Sequence, residues 1–215
     1  MTDHLVTDLA SLETLFGDVA APSLAKETDS LHPVYARWLA QARFALLATH
    51  GPQGLDVSPR GDAGPIVRIV DEHTLLLPER RGNNRIDSLR NLVADPRAGL
   101  LFMIPGVGET LRVRGRAQIS VEPELLASFE HEGKRPVCVL RIAIDKVFFQ
   151  CARSILRSRL WHPLEHDAAG VPSPGTMLAA LTRGQIDGGA YDSALRYPDF
   201  FGHFRLINLS EGVNT

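Results

Sequence analysis

Three arginines and two asparagines are concentrated in the ten-residue stretch PERRGNNRID, residues 78–87. The stretch lies between an apolar run typical of a strand and an apolar pattern typical of a helix. The start of a helix exposes unpaired backbone N–H groups and about half a positive charge, so it attracts anions. Arginine forks match pairs of phosphate oxygens, and glycine lets the backbone approach a ligand closely. The sequence therefore predicts a phosphate pocket formed by Arg80, Arg81, Gly82, Asn83, Asn84, Arg85 and Ser88.

The same arginines also fit a solvated loop in which they form ion pairs with Glu79 and Asp87. Basic loops of this kind are common on protein surfaces, where their ion pairs contribute little. Taken alone, the charge pattern fits both interpretations equally well.

A second polar group, in the stretch DVSPRGDAG, favours the ligand site. Ser58, Arg60 and Asp62 follow a strand and alternate with Pro59 and Gly61, which restrict how the backbone can relax. The Arg-Gly-Asp tripeptide also occurs in cell-adhesion motifs, but nothing in the chain suggests secretion. We therefore interpret this stretch as part of a binding site.

Composition limits the remaining possibilities. The chain has 215 residues, 44% hydrophobic and 22% charged, which fits one globular domain. A net charge of −2 and an aromatic content of 7% argue against a broad nucleic-acid surface. No segment approaches the ~20 apolar residues that span a bilayer, and no basic, then apolar leader opens the chain. We expect a cytoplasmic protein without membrane or nucleic-acid partners.

The hydrophobic pattern predicts a mainly β protein of the α+β class. Short apolar runs predict hairpins over 43–59, 65–78 and 97–121, and a long strand over 135–149. The first and third hairpins have turns rich in Gly and Pro, and the second has the charged turn DEH. Helical spacing predicts helices over 9–16, 30–43, 83–96 and 123–133, the third of them capped by an asparagine. Such strands favour a small barrel. We expect a single domain, with a helical arm (1–42), a barrel core (43–165) and a helical extension (166–215).

The motifs DVSPRGD, LLLPERRGNNRIDSLRNL, DPRAGLLFMIPGVGETLRVRGRA and RSRLW together resemble the pyridoxamine 5'-phosphate oxidase-like family of FMN-binding split β-barrels. Within it, they are similar to a bacterial branch of FMN-dependent enzymes. The resemblance covers roughly residues 30 to 165. In combination the motifs are more specific than any one alone.

This resemblance implies a homodimer with FMN in clefts between the subunits. The segment Ser58, Arg60, Gly61 and Asp62 would run along the isoalloxazine ring, and Arg80, Asn83, Asn84, Arg85 and Ser88 would hold the phosphate. Arg112, Arg159 and Trp161 would approach from the partner chain. A dianionic phosphate and a flat apolar ring require a site that is basic at one end and apolar at the other.

Several other residues have two interpretations. Trp161 fits either the flavin edge or the core, and the alternation of Arg112, Arg114 and Arg116 fits either solvent or a dimer cleft. Cys138 and Cys151 fit buried, reduced thiols better than a disulfide. His162 and His166 have helical spacing, but Pro163 and the lack of a third ligand favour surface histidines over a metal site.

The resulting hypothesis is an FMN-dependent oxidoreductase that acts on a small molecule, with NADH or NADPH as a candidate electron donor. Arg60 is the expected donor to the negative charge that reduced FMN develops at N1 and C2=O. Family oxidases hold the substrate phosphate with a C-terminal Arg and His, whose pattern His203 and Arg205 do not reproduce, so vitamin B6 oxidation is disfavoured. The alternative is a flavin- or haem-binding carrier or sensor without turnover.

Overall fold

The computed structural model describes residues 4–162 and 170–194, which fall into two compact units, Met1–Trp161 and His162–Thr215. The first unit contains the predicted arm and residues 43–161 of the predicted barrel core, and the second begins four residues before the predicted extension. The division into one domain with an extension stays a prediction.

One antiparallel sheet forms the centre of the first unit. Its order is β2-β1-β5-β6-β7-β4-β3. The strands are β1 (Phe44–Gly51), β2 (Gly54–Gly61), β3 (Arg68–Asp71), β4 (Thr74–Glu79), β5 (Arg97–Met103), β6 (Thr110–Ser120) and β7 (Cys138–Gln150). The three predicted hairpins and the long strand are confirmed, and so is the α+β, mainly β class.

Alternation along the strands separates an inner from an outer face. Ala45 and Leu47 of β1, Leu100 and Phe102 of β5, and Val113 of β6 are almost completely buried. On β6 the intervening Arg114 and Arg116 are exposed and Arg112 is half-buried, which fits both interpretations of the sequence pattern. The inner face of the sheet therefore forms the core, while the outer face stays accessible.

Six helices accompany this sheet in the described part of the first unit. They are α1 (Leu9–Phe16), α2 (Ala21–Ala25), α3 (Pro33–Leu39), α4 (Asp87–Ala94), α5 (Pro123–Ala127) and α6 (Arg153–Ser158). The expected helix over 9–16 is confirmed, and it ends at Gly17, which has a positive φ of 68°. Glycine adopts this conformation without the steric cost that a Cβ atom imposes.

Three helix boundaries predicted from the sequence were wrong. The helix expected over 30–43 spans only α3, because Pro33 occupies its first turn and the chain turns at Ala40 to enter β1. The helix expected over 123–133 ends at Ala127, since the next residues form a tight turn closed by His131 and Lys134. The helix expected over 83–96 is α4. It begins only at Asp87, and Ile86 rather than an asparagine precedes it.

The second unit contains a helical hairpin of α7 (Pro174–Leu181) and α8 (Gly188–Ala194). The backbones of Gly175 and Gly188 lie too close for a Cβ atom on either residue. Asp192 of α8 accepts hydrogen bonds from the Gly175 N–H and the Ser173 hydroxyl at the start of α7. Within the expected helical extension, residues 174–181 and 188–194 are therefore helical. Within residues 4–162 and 170–194, no helix has the length and apolar character needed to cross a membrane.

Helix α4 packs closely against β1 and β2 at Gly51 and Asn91. A Cβ atom at Gly51 would lie 2.9 Å from the Asn91 Cα atom. Asn91 cannot move away easily, because it is buried and its amide donates to the Thr49 hydroxyl (3.2 Å) and the Gly54 carbonyl (3.4 Å). The glycine therefore sets the position of α4 and of the loop that precedes it.

Gly51→Ala should lower the free energy of unfolding by about 1–3 kcal/mol, because overpacking at this contact displaces α4. Urea denaturation measures the change. Gly99→Ala on β5 is the matched control, since its Cβ atom would meet Ala48 Cβ at an ordinary 3.9 Å. Equal stability of the two variants would show that the Gly51 contact does not fix α4.

Candidate functional site

A cavity of about 780 Å³ lies where the ends of β2 and β4 meet the loop that leads into α4. Apolar and backbone groups, including Ile66, Pro78 and Val137, line one part of it, and the arginine-rich loop lines another. The structure brings together nine of the twelve residues expected in the site: Ser58, Arg60, Gly61, Asp62, Arg80, Asn83, Asn84, Arg85 and Ser88.

Strand β2 contributes its polar side chains through simple alternation. Residues at even positions, Asp56, Ser58 and Arg60, are half-buried and line the cavity, and Asp62 continues the series just beyond the strand. Leu55 and Val57, between them, face the opposite side and are 83% and 62% exposed. One strand thus carries both a polar cavity wall and an exposed apolar surface.

An ion pair joins the ends of β2 and β4. The Arg60 Nε donates to Glu79 Oε1 at 2.6 Å, and the side chains are only 17% and 12% exposed. A second Arg60 nitrogen, Nη1, donates to the Pro59 carbonyl at 3.0 Å. Glu79 therefore pairs with Arg60, not with the loop arginines as one interpretation of the sequence expected.

Arg80 forms a second link across the cavity. Its Nε donates to Asp62 Oδ2 at 3.0 Å, Nη2 lies 2.9 Å from the same oxygen, and Nη1 donates to the Phe129 carbonyl at 2.9 Å. All three nitrogens thus have protein partners. In this conformation Arg80 is part of the cavity wall and holds β2, the loop and the turn after α5 together.

The Gly82–Ile86 segment forms a loop and not the first turn of the helix. The Asn83 side-chain oxygen accepts from the Arg85 N–H at 3.0 Å, and Asn84 has a positive φ of 59°. Because Asn83 bonds to the backbone two residues later, it stabilises a turn and cannot cap α4. The prediction of an asparagine cap was wrong for this reason.

Arg85 extends from this loop towards solvent, with 80% of its side chain exposed. Its Nε donates to Asp87 Oδ2 at 2.8 Å, and this hydrogen bond raises the pKa of Arg85 above its ordinary value. The pairing with Asp87 agrees with the solvated-loop interpretation. However, it uses only the Nε side of the guanidinium, and both terminal nitrogens stay available to an anion.

Ser88 is buried, and its hydroxyl donates to Asp56 Oδ2 on β2. The bond connects the first turn of α4 to the middle of the cavity strand. Asp56 and Arg85 line the same cavity, and the Asp56 charge adds to the effect of Asp87 in raising the pKa of Arg85. Ser88 therefore positions α4 in this structure, and its proton is directed at Asp56.

The other three expected site residues do not line the cavity. Arg112 on β6 donates to Gln150 at 2.9 Å and its guanidinium lies 5.2 Å from the centre of the Phe148 ring. Arg159 follows α6 with a positive φ of 51°. Trp161 is half-buried and donates from Nε1 to the Val107 carbonyl at 2.7 Å. Their assignment to a cleft shared with a partner chain stays a prediction.

The acidic partners were the residues that sequence reasoning missed as part of the site. Asp56, Glu79 and Asp87 line the cavity, and each binds one of the expected residues. A signal existed for Asp56, since it precedes Ser58 by two residues and must share its face of the strand. The pairing of Glu79 with Arg60 depends on how β2 and β4 meet in space.

The two cysteines differ in their surroundings. Cys138, opposite Glu79 in the sheet, is buried, and burial together with the Glu79 charge raises its pKa to about 11. It is an unreactive core thiol, as predicted. Cys151 is exposed because β7 ends at Gln150 and the chain turns towards α6, so the expectation of burial was wrong for this residue.

Other expectations concern the last part of the chain. His166, His203 and Arg205 lie outside the described residues. Within residues 4–162 and 170–194, no three His, Cys, Asp or Glu side chains are grouped to hold a metal ion.

Comparison with known families supports the sequence resemblance. A family model described as pyridoxamine 5'-phosphate oxidase matches residues 31–151, more than half of the chain. The chain belongs to the pyridoxamine 5'-phosphate oxidase family. The match includes every cavity-lining residue, from Asp56 to Val137, and leaves the arm with α1 and α2 outside. No curated protein matches the sequence.

Solved structures with a similar chain path include HupZ of Group A Streptococcus, at 18% identity and a TM-score of 0.46, over 56% of this chain and 99% of that one. General stress protein 26 of Bacillus anthracis matches at 16% identity and a TM-score of 0.39, over 53% of this chain and 88% of that one. An FAD-binding protein of Mesorhizobium loti matches at 16% identity and a TM-score of 0.38, over 57% of this chain and 96% of that one.

Glu79→Gln should lower the free energy of unfolding by about 2 kcal/mol, because it leaves the largely buried Arg60 guanidinium without its counter-charge. Chemical denaturation measures this. Glu130→Gln makes the same change in the exposed pair with Arg135, where side chains are 43% and 56% exposed, and should cost less than about 1 kcal/mol. If both variants lost the same small amount, the Arg60–Glu79 pair would not stabilise the cavity.

Proposed function

We propose that this chain binds FMN in the cavity and uses the bound flavin in a redox reaction on a small molecule. One observation carries the proposal. In a member of the pyridoxamine 5'-phosphate oxidase family, a single cavity combines an arginine- and asparagine-rich loop with a partly apolar strand end. This is the polarity that a phosphorylated, flat aromatic cofactor requires.

The residues present fit such a cofactor in size. A volume of about 780 Å³ lies within the roughly 300–1,000 Å³ of typical ligand sites. The ring would lie along the end of β2, near Ser58, Gly61 and Ile66. The phosphate would lie at the loop, where the backbone turns sharply at Asn84.

The ion pairs already present in the cavity indicate which arginines would hold the phosphate. The cavity-lining residues include four arginines and four carboxylates, so the site is close to neutral before a ligand binds. Arg60 and Arg80 are committed to carboxylates, whereas Arg81 has no acidic side chain within 4 Å in the described part of the chain. Arg81 and Arg85, with the Asn84 amide, are therefore the proposed phosphate ligands. Arg80 and Ser88 are the residues that position them.

When bound, FMN accepts and donates electrons as a hydride equivalent, which is chemistry that no side chain of the cavity provides. The chain contributes placement and electrostatics. Arg60 is held rigidly by Glu79 and the Pro59 carbonyl, and its remaining terminal nitrogen can donate to a ring oxygen. A fixed positive group beside the ring favours the reduced cofactor, because reduction adds negative charge there.

We further propose a homodimer with the flavin near the subunit interface. The exposed apolar side of β2, with Leu55 and Val57, is a surface that association would cover. Two-fold dimers are the commonest assembly of soluble proteins. In this arrangement Arg112, Arg159 and Trp161, which lie outside the cavity of their own chain, could complete the site of a second copy.

The alternative is a flavin carrier without turnover, and it requires the same cavity. A haem carrier is disfavoured, because the side chains that line the cavity in the described structure include no His, Cys, Met or Tyr to ligate iron. The flavin interpretations therefore take precedence over haem.

Arg85→Ala should weaken FMN binding about 10-fold to 100-fold, the loss expected for hydrogen bonds to a charged phosphate. Riboflavin, which has the ring without the phosphate, should bind both proteins equally. Quenching of flavin fluorescence measures the four dissociation constants. Arg135→Ala, which removes an arginine outside the cavity, is the control. Equal losses for FMN and riboflavin would mean that Arg85 does not bind the phosphate.

Stopped-flow mixing of the FMN-loaded protein with NADH or NADPH under nitrogen should bleach the visible flavin absorbance, because an oxidoreductase accepts electrons from a donor. Readmitting oxygen should restore it. A holoprotein that keeps its absorbance with both donors, while free FMN is reduced by dithionite in the same buffer, would favour the carrier.

A further inference from the structure

Helix α1 has an apolar surface with no partner in its own chain. None of its eight residues is buried, and Leu9, Leu15 and Phe16 are 74%, 68% and 81% exposed. Isolated helices shorter than about 12–15 residues are marginal in water even when well capped. A helix this short and this exposed therefore requires a surface to pack against.

The arm that carries α1 is acidic. Residues 4–25 contain Asp8, Glu13 and Asp18 and no Lys or Arg. Asp8 caps the helix by accepting from the Ser11 N–H at 2.9 Å, while Glu13 lies on the helix itself. The surface that receives α1 should thus be apolar at its centre and basic at its rim.

The outer face of the sheet provides a groove with these properties. A cavity of about 440 Å³ has a floor of small residues, including Ala48, Gly99 and Gly115, beside the exposed Leu55. Its rim carries Arg97, Arg114, Lys146 and Asp145. Arg97 is paired with Asp95 and Lys146 with Glu27, so Arg114 is the basic residue of the rim that stays available to an acidic partner in the described part of the chain. Small residues leave room for inserted leucine side chains, and Arg114 has no acidic side chain within 4 Å in residues 4–162.

We propose that α1 of one copy packs into this groove of a second copy, with its leucines on the floor and Glu13 beside Arg114. The inference rests on the proposed homodimer and assigns part of its interface. Two copies related by a two-fold axis would exchange arms reciprocally, so that both grooves are filled at once.

The path of the arm favours a second copy over the same chain. The arm leaves the barrel at the Thr28–Val147 backbone pair and the Glu27–Lys146 ion pair. Beyond this point α2 and α1 run on without burying a residue in their own chain. A lipid surface is a poor alternative occupant, since membrane-bound amphipathic helices carry a basic polar face.

A charge exchange tests the contact. Glu13→Arg and Arg114→Glu should each raise the dimer dissociation constant at least tenfold, because each places like charges together. The two changes in one chain should restore it to within about threefold of the original value. Analytical ultracentrifugation measures the constants, and Glu124→Arg on α5 is the control for an added charge elsewhere. Additive weakening in the double variant would overturn the contact.

Disulfide trapping gives an independent readout that also separates this inference from the homodimer. One chain carries Leu12→Cys and another carries Leu55→Cys, both with Cys151→Ser. Oxidation of the mixture should link the two different chains, and each variant alone should not crosslink. A stable dimer that forms no such link would overturn the arm exchange but leave the homodimer intact. A wild-type chain that sediments as a monomer at all concentrations would overturn both.

Discussion

The pairing of arginines with carboxylates across the cavity is the constraint on which the site depends. The Arg60–Glu79 pair joins the end of β2 to the end of β4, and Arg80 joins Asp62 to the turn after α5. Because these groups are largely shielded from water, each charge needs its partner to be tolerated there. The strand ends are therefore held at a fixed separation, and the cavity between them keeps its shape without a ligand.

The cavity arginines therefore fall into two groups, one that forms ion pairs in the wall and one that stays available to a ligand. Those that are paired in the cavity wall define its geometry, whereas Arg81 and Arg85, on the exposed loop, keep donors directed to solvent. A site built in this way can accept a dianion without disturbing the frame, since the ligand would bind at groups that the frame does not use. The Ser88–Asp56 bond belongs to the frame, because it fixes the first turn of α4 against β2.

The sequence predicted the strands better than the contacts between them. Turn residues, rich in Gly and Pro in two hairpins and charged in the other, located the three hairpins, because turn residues and alternation act over a few positions only. The nine cavity residues were found from two local motifs. The pairings of Arg60 with Glu79 and of Ser88 with Asp56 were missed because the partners are 19 and 32 positions apart. The same limit explains Cys151, whose exposure depends on where β7 ends.

The crystal structure of the protein grown with excess FMN tests the central claim most directly. The account predicts the phosphate within hydrogen-bonding distance of Arg85 and the Asn84 segment, with the ring along the end of β2. A flavin bound with its phosphate away from this loop, or solvent alone in the cavity at saturating FMN, would contradict it.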